Sequence, residues 1–209
     1  MEFLKLALKR RSLRRYAGTP VPPEMLLRAL EAARLAPSAS NSQPWHFIVV
    51  DDPEIRRQLG RACRGPVGSF NRFAEKVPAF IVILENRGSL KTAVGGALKG
   101  RRYSRYDIGI AAEHICLQAT EDGLGSCMLG WFDERRIRKL LKVQGTWRPS
   151  LVITLGFPAA ESREDPPPKR RKEWSEVVSW DFHGETRHTE GDRHADSTDR
   201  GAERAEDPS

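Results

Sequence analysis

Ala36-Pro37-Ser38-Ala39-Ser40-Asn41-Ser42-Gln43-Pro44-Trp45-His46-Phe47-Ile48-Val49-Val50 is the stretch on which the reading of this chain turns. It starts as the tail of an apolar-periodic helix. It breaks into a loop of small hydroxyl and amide residues, then becomes an apolar, β-branched strand. Small polar residues at such a junction let a backbone approach a flat or phosphorylated ligand closely. The same residues also make an ordinary helix-to-strand turn.

Upstream, residues 2–11 read as a helix carrying Phe3, Leu4, Leu6, Ala7 and Leu8. Gly18, Pro20, Pro22 and Pro23 then enforce a loop. Met25, Leu26, Ala29, Leu30, Ala33 and Leu35 recur at helical spacing. Downstream, strand 45–50 stops at Asp51-Asp52-Pro53, which also starts a helix over about 53–63. Asn71 to Lys76 reads as a bridging helix or turn. The continuous run Ala79 to Leu84 reads as a strand buried on both faces.

Residues 85–105 are Gly-rich and basic, a loop or short helix suited to covering a site. Asp107 to Glu121 is apolar nearly all round, which marks a central buried helix, and Gly123-Leu124-Gly125 caps it. Ser126 to Trp131 is a further short apolar run, Asp133 caps a helix through Leu141, and Leu151 to Phe157 is another strand. Pro166 to Lys172 is extended and basic, and Glu176 to Trp180 reads as a short last strand. From His183 the chain is almost free of apolar residues and cannot bury a core, so residues 183–209 read as a disordered polar tail after a domain at 1–182.

Hydrophobic content of 39% and charged content of 30% fit a globular domain with a polar appendage. No apolar run is long enough for a transmembrane helix, and the N-terminus has no signal-peptide core, so a cytoplasmic protein is expected, with no membrane partner. Cys63, Cys116 and Cys127 are too few and scattered for a disulfide framework. His114 and Cys116 point to different faces of a helix, so no metal site is expected. Residues 183–209 hold eight acidic and four basic side chains, a net of −4, which leaves +11 on the rest of a chain whose formal charge is +7. The basic groups cluster at Lys9 to Arg15, Lys91 to Arg105 and Lys169 to Lys172.

Several motifs fail. Gly123 to Gly130 has the wrong glycine spacing for a dinucleotide fingerprint and follows a helix rather than a strand. Gly95 to Arg101 lacks the Lys-Ser/Thr of a P-loop, and no G-x-S-x-G is present. No side chain stands out as acid, base or nucleophile. His46, inside an apolar strand, reads as structural. By charge alone each basic cluster reads first as a solvated surface, and it also permits binding of nucleic acid or of a small phosphorylated ligand. A basic nucleic-acid-binding module is disfavoured by the scarcity of aromatic residues among those clusters and by the acidic tail.

Taken together the pieces resemble the nitroreductase family of flavoenzymes. The resemblance rests on Arg10-Arg11-Ser12-Leu13-Arg14-Arg15-Tyr16, on Val21-Pro22 with Leu30-Glu31-Ala32-Ala33-Arg34, and on Ala36-Pro37-Ser38 with Asn41 and Gln43-Pro44-Trp45. Tyr106 to Ala111 through Gly125, Leu155-Gly156-Phe157-Pro158, and Lys169-x-Arg171-Lys172 with Val177-Val178 support it. It covers about residues 3–182.

The resemblance implies an α+β protein, an α/β/α sandwich around a mixed, mainly antiparallel sheet, forming an intertwined homodimer with FMN at the interface. It implies an FMN-dependent NAD(P)H oxidoreductase. Hydride would pass from NADH or NADPH through flavin N5 to a nitroaromatic, quinone or activated alkene by a ping-pong cycle. A specialised member that dehalogenates, dehydrogenates or degrades flavin is the alternative. Carried over by position, Arg10, Arg11, Ser12 and Arg14 would bind FMN, with Arg10 and Ser12 at the phosphate and ribityl end and Arg14 near the pyrimidine edge. Pro37, Ser38 and Ser40 would come from the partner subunit and line the ring, and Asn71 would meet the pyrimidine oxygens. Met128, Leu129 and Gly130 would pass the ring's central edge with a backbone N–H toward N5, and Lys169 and Arg171 would complete the phosphate site. Gln43 and Trp45 read as structural. The basic residues Lys91, Lys99, Arg101, Arg102 and Arg105 either pair with a dinucleotide phosphate or are solvated surface.

Overall fold

The computed structural model describes residues 2–64, 70–86, 103–162 and 168–185. The chain divides into two compact units, Met1–Pro166 and Pro167–Ser209. In the first unit the order is α1 (Phe3–Lys9), α2 (Pro23–Arg34), β1 (Trp45–Val50), α3 (Pro53–Ala62), β2 (Ala79–Asn86), α4 (Tyr103–Glu121), β3 (Gly125–Leu129), α5 (Glu134–Leu140) and β4 (Trp147–Gly156).

The four strands form one sheet in the order β1-β2-β4-β3, and every ladder is antiparallel. A parallel pairing comes from an isolated bridge, Ser12 to Ser126, which sets an N-terminal ribbon beside β3 and makes the sheet mixed. β2 is central, and its apolar run splits by pleat. Ile81 and Ile83 enter one core with Ala29, Ala33, Ile108 and Ile115 from α2 and α4. Phe80, Val82 and Leu84 enter the other with Leu59 of α3 and Ile137 of α5. Both faces are therefore covered by helices, the α/β/α sandwich expected of a strand without polar positions. Each fully buried Phe, Ile or Leu stabilises the fold by about 1.5–3 kcal/mol.

Local signals account for most boundaries. Asp52 caps α3 by accepting from Glu54 and Ile55 N–H, and Pro53 occupies its first turn. Asp133 caps α5 by accepting from Arg136 N–H. Gly123 ends α4 at φ +80°. The register of β2 against β4 shifts between Ile83 and Leu84, so that Pro149 sits at a bulge where a proline is tolerated inside a sheet.

Three expectations change. α1 ends at Lys9, and Arg10 is already extended, because the residues after it pair with strands far along the chain. α4 begins at Tyr103 and buries Asp107, Ile108, Ala111, Ala112, Ile115 and Cys116, whereas Tyr106 and Ile110 face outward at 63% and 37% exposure. It is thus buried on one face within a single chain. The expected strand at 176–180 is instead the second unit's helix α6 (Trp174–Val177), nucleated by a capping box between Glu173 and Glu176. Residues 87–102, the bulk of the basic 85–105 segment, and 186–209 of the polar tail lie outside the described residues. Among the described residues no helix is long and apolar enough to cross a membrane.

Candidate cofactor site

The ribbon Arg10–Ala17 is stitched to the sheet edge by backbone pairing. Leu13 N–H donates to Ser126 O at 2.8 Å, Ala17 N–H to Phe157 O at 2.8 Å, and Ala159 N–H to Arg15 O at 3.2 Å. Tyr16 locks the middle: its hydroxyl donates to Leu13 O at 2.8 Å and lies 2.6 Å from Thr154 Oγ1. Burial raises the Tyr16 phenol well above its ordinary value, so the lock stays protonated. Such close approach requires Gly125, since a Cβ there would stand 2.1 Å from Leu13 Cδ2 and 2.8 Å from Leu13 Cβ.

This stitching brings Arg10, Ser12 and Arg14 beside β3. Ser12 and Arg14 are exposed, Arg11 is half-buried, and Arg10 reaches Glu113 of α4 at 3.5 Å. Arg10 Nε and Ser126 Oγ are buried with no hydrogen-bond partner. The thiols of Cys116 and Cys127 adjoin the ribbon. Burial raises both, and contacts with Ser126 and Arg10, and with Arg14 and Ser12, oppose the rise. Both thiols therefore stay neutral and serve as packing. Met128, Leu129 and Gly130 continue β3 past the ribbon, and nothing lies within 4 Å of where a Gly130 Cβ would be.

The loop Pro37–Gln43 is built differently. Ser40, Asn41 and Gln43 have φ of 52°, 50° and 44°, three strained left-handed positions in four residues. Gln43 N–H donates to Ser38 Oγ at 2.9 Å, and the Gln43 amide donates to Asn41 Oδ1 at 3.1 Å. Trp45 is buried and stacks on Phe47, so Gln43 and Trp45 are the loop-fixing and strand-packing residues expected. The outside anchor is Asp107 of α4, whose Oδ1 accepts the Ala39 N–H at 3.0 Å while Oδ2 is buried without a partner. Sequence reasoning assigned Asp107 no role, and a buried carboxylate at the start of an apolar helix was the available signal. Asp107 and Glu113 are six residues apart, so α4 anchors loop and ribbon about 9 Å apart along its axis.

The Asn71 amide donates to Cys63 O at 3.0 Å and Trp131 O at 3.1 Å, which commits both its N–H groups to holding the turn after β3. A cleft of about 450 Å³ opens next to that turn, lined by Gly130, Phe132, Arg105, Ile108, Ser150 and Glu85 among others. Ser150 is the unpaired residue of the bulge, and buried Glu85 accepts from Ser104 Oγ at 2.6 Å. Arg105 is the one basic residue of the 85–105 segment among the described residues. In the second unit Lys169 is half-buried, and Arg171 is exposed and donates to Arg170 O at 2.8 Å. His46 is exposed on edge strand β1 with its ring 5.7 Å from that of Trp147, away from these groups in the sheet order.

The sequence pattern of the nitroreductase family matches residues 7–157, which include the ribbon, the loop and β3. The chain belongs to the nitroreductase family. A relative named NADH dehydrogenase from Thermus thermophilus is 31% identical over 83% of this chain and 93% of its own. A solved structure of an FMN-dependent nitroreductase from Clostridium difficile superposes with a TM-score of 0.68 at 31% identity, covering 86% of this chain and 99% of that one. An iodotyrosine deiodinase from Thermotoga neapolitana is 27% identical over 78% of this chain and 90% of its own. As a nitroreductase family member, the chain is an oxidoreductase by the names its relatives carry.

The residues present fit a flavin mononucleotide. Exposed guanidinium and hydroxyl groups lie on the ribbon, an unpartnered Arg10 Nε and Ser126 Oγ lie beneath it, and open backbone lies beside Gly130.

Proposed function

We propose that the chain is an FMN-dependent NAD(P)H oxidoreductase that acts as a homodimer on a small electron acceptor, by two half-reactions sharing one face. The observation that carries this reading is the ribbon. Tyr16 and the Ser12–Ser126 bridge hold Arg10, Ser12 and Arg14 next to Met128–Gly130, with an Arg10 donor left over. Bound FMN would accept hydride at N5 from the nicotinamide and release it to the acceptor.

The protein's own part is binding and electrostatics. Arg10, Arg11 and Ser12 would hold the phosphate end by charge-assisted hydrogen bonds, and the family resemblance assigns Lys169 and Arg171 to the same role. Arg14 puts a fixed cation at the ring's pyrimidine edge, where it favours added negative charge. The backbone at Met128, Leu129 and Gly130 would pass the ring's central edge, with one N–H directed at N5. Asn71, assigned by the resemblance to the pyrimidine oxygens, also fixes the Trp131 turn through its amide. Pro37, Ser38 and Ser40 of a second copy close the ring's other side.

Exposed apolar groups support the second copy: Phe3, Leu4 and Leu8 on α1 at 66–68%, and Tyr106 and Ile110 on α4. α1 buries none of its own residues completely within one chain, which leaves its apolar face available to a second copy. We take the FMN-binding domain as 1–182, the remainder as a polar tail, and the compartment as reducing cytoplasm, in keeping with three free cysteines.

Nitroaromatics, quinones and activated alkenes are the acceptors to try first. The deiodinase relative favours a second reading, reductive dehalogenation. The test is anaerobic mixing of the purified, FMN-loaded protein with NADH or NADPH, followed by acceptor. The reading expects bleaching of the flavin band, its return on adding nitroaromatic or quinone, and parallel double-reciprocal plots. Bleaching reversed only by an iodinated phenol would move the assignment to dehalogenation. No bleaching by either nicotinamide would remove the oxidoreductase reading.

A further inference from the structure

A second hollow, of about 720 Å³, lies between α5 and the start of β4, lined by Phe132, Asp133, Glu134, Arg135, Arg138 and Arg148. Phe132 and Glu134 line both this hollow and the cleft at Gly130, so the two spaces share a wall. Three arginines face it against two carboxylates, and both carboxylates are accounted for. Asp133 is turned to the backbone of its own helix, accepting from Arg136 N–H at 2.9 Å. Glu134 forms an ion pair with Arg148, its Oε1 3.7 Å from Arg148 Nε, which leaves Arg135 and Arg138 as the excess cations of the hollow. Arg138 Nε and Arg148 Nη1 are buried with no acceptor, and Arg135 is exposed at the rim. Buried donors are nearly always paired, so two unpaired guanidinium donors lining one hollow call for an anionic acceptor from outside.

We propose that this hollow is the subsite for the adenosine 2′-phosphate of the electron donor, which makes NADPH the preferred nicotinamide. The proposal rests on the reading that NAD(P)H is the donor. A dinucleotide with its nicotinamide in the Gly130 cleft runs past Phe132 and places its far end next door. A phosphomonoester offers several strong acceptor oxygens and close to two negative charges, matching guanidinium forks. NADH would bring only a hydroxyl and leave the buried donors unpaired, the kind of mismatch that discriminates strongly.

The test has two arms on the full chain. Calorimetric titration with adenosine 2′,5′-bisphosphate and with adenosine 5′-monophosphate reads the subsite without turnover. The bisphosphate is expected to bind at least about tenfold more tightly, and Arg138→Ala to remove that margin. In steady state, Arg138→Ala is expected to raise the ratio of KM for NADPH to KM for NADH about tenfold. Arg135→Ala, at an exposed position, gives a smaller shift in the same direction and guards against a folding defect in the first variant. Equal binding of the two nucleotides would overturn the proposal. So would parallel changes in both KM values, which would put the pyrophosphate there instead. Discrimination in the titration with no oxidation of either nicotinamide would leave an anion subsite standing and strike the donor reading alone.

Discussion

The ribbon Arg10–Ala17 supplies basic and hydroxyl groups and the loop Pro37–Gln43 small hydroxyl and amide groups, and the two are held in opposite ways. The ribbon is zipped to β3 and the end of β4 by backbone hydrogen bonds and by a buried tyrosine. Its conformation is finished within one chain. The loop carries three left-handed residues, is largely exposed, and hangs on one carboxylate, Asp107. Strain of about 1–3 kcal/mol per such residue persists only where surroundings over-determine it, and within one chain, among the described residues, the loop's hydrogen bond to the rest of the fold is the one to Asp107. Under the proposed reading the ribbon is a preformed half-site, and the loop is the half that a second copy would complete.

The largest expected effect breaks the ribbon. Gly125→Val drives a side chain into Leu13, so the ribbon lifts from β3. It should lose most bound FMN and about 1–3 kcal/mol of stability, read by flavin absorbance and urea denaturation. Asp107→Ala attacks the loop instead. It should weaken FMN binding about tenfold through one lost charged hydrogen bond. Stability should change by less than about 1 kcal/mol, because a buried carboxylate with an unpaired oxygen goes with it. If Asp107→Ala unfolded the chain as readily as Gly125→Val, the contrast between the two regions would fail. Tyr16→Phe keeps the ring and removes the lock. About 1 kcal/mol of stability should go, with a smaller loss of flavin affinity, both measurable by denaturant titration with and without FMN.

An effect confined to alkaline pH tests the packing that backs the ribbon's strand. Burial pushes the Cys63 thiol up to about 12 from its ordinary 9.0. The unfolded chain then releases this proton near pH 9 and the folded chain only near 12. The contribution is complete below pH 9 and is lost as pH rises through that window, by about 1.4 kcal/mol per pH unit for one such group. Cys63→Ala should flatten the alkaline fall in melting temperature, with a residual slope from Cys116 and Cys127, which burial also raises. An unchanged slope would mean that the thiol is solvated.

Legibility in the sequence followed the range of the interactions. β1 from Trp45, α3 from Pro53 and the run Ala79 to Leu84 were readable because a stop, a cap and an unbroken apolar run are local signals. The start of the ribbon reads as helix from local signals alone, because its partner Thr154 lies 138 residues on from Tyr16. Leu13, Gly125 and Tyr16 fit together only in three dimensions. Asp107 was quoted as part of a motif, but nothing local reveals that its carboxylate reaches Ala39, 68 residues earlier. The apolar circumference of α4 was read as one buried core helix, whereas it faces a core on one side and the exterior on the other. The arginine hollow escaped because Arg138 and Arg148 belong to different elements, each unremarkable alone.

The central claim is that the ribbon is a flavin-phosphate site, and the absorption spectrum of the purified chain tests it most directly. The account predicts a yellow protein, with flavin bands, that releases FMN on denaturation at one per chain and takes FMN back on refolding. A colourless protein that cannot be reconstituted with FMN would contradict it.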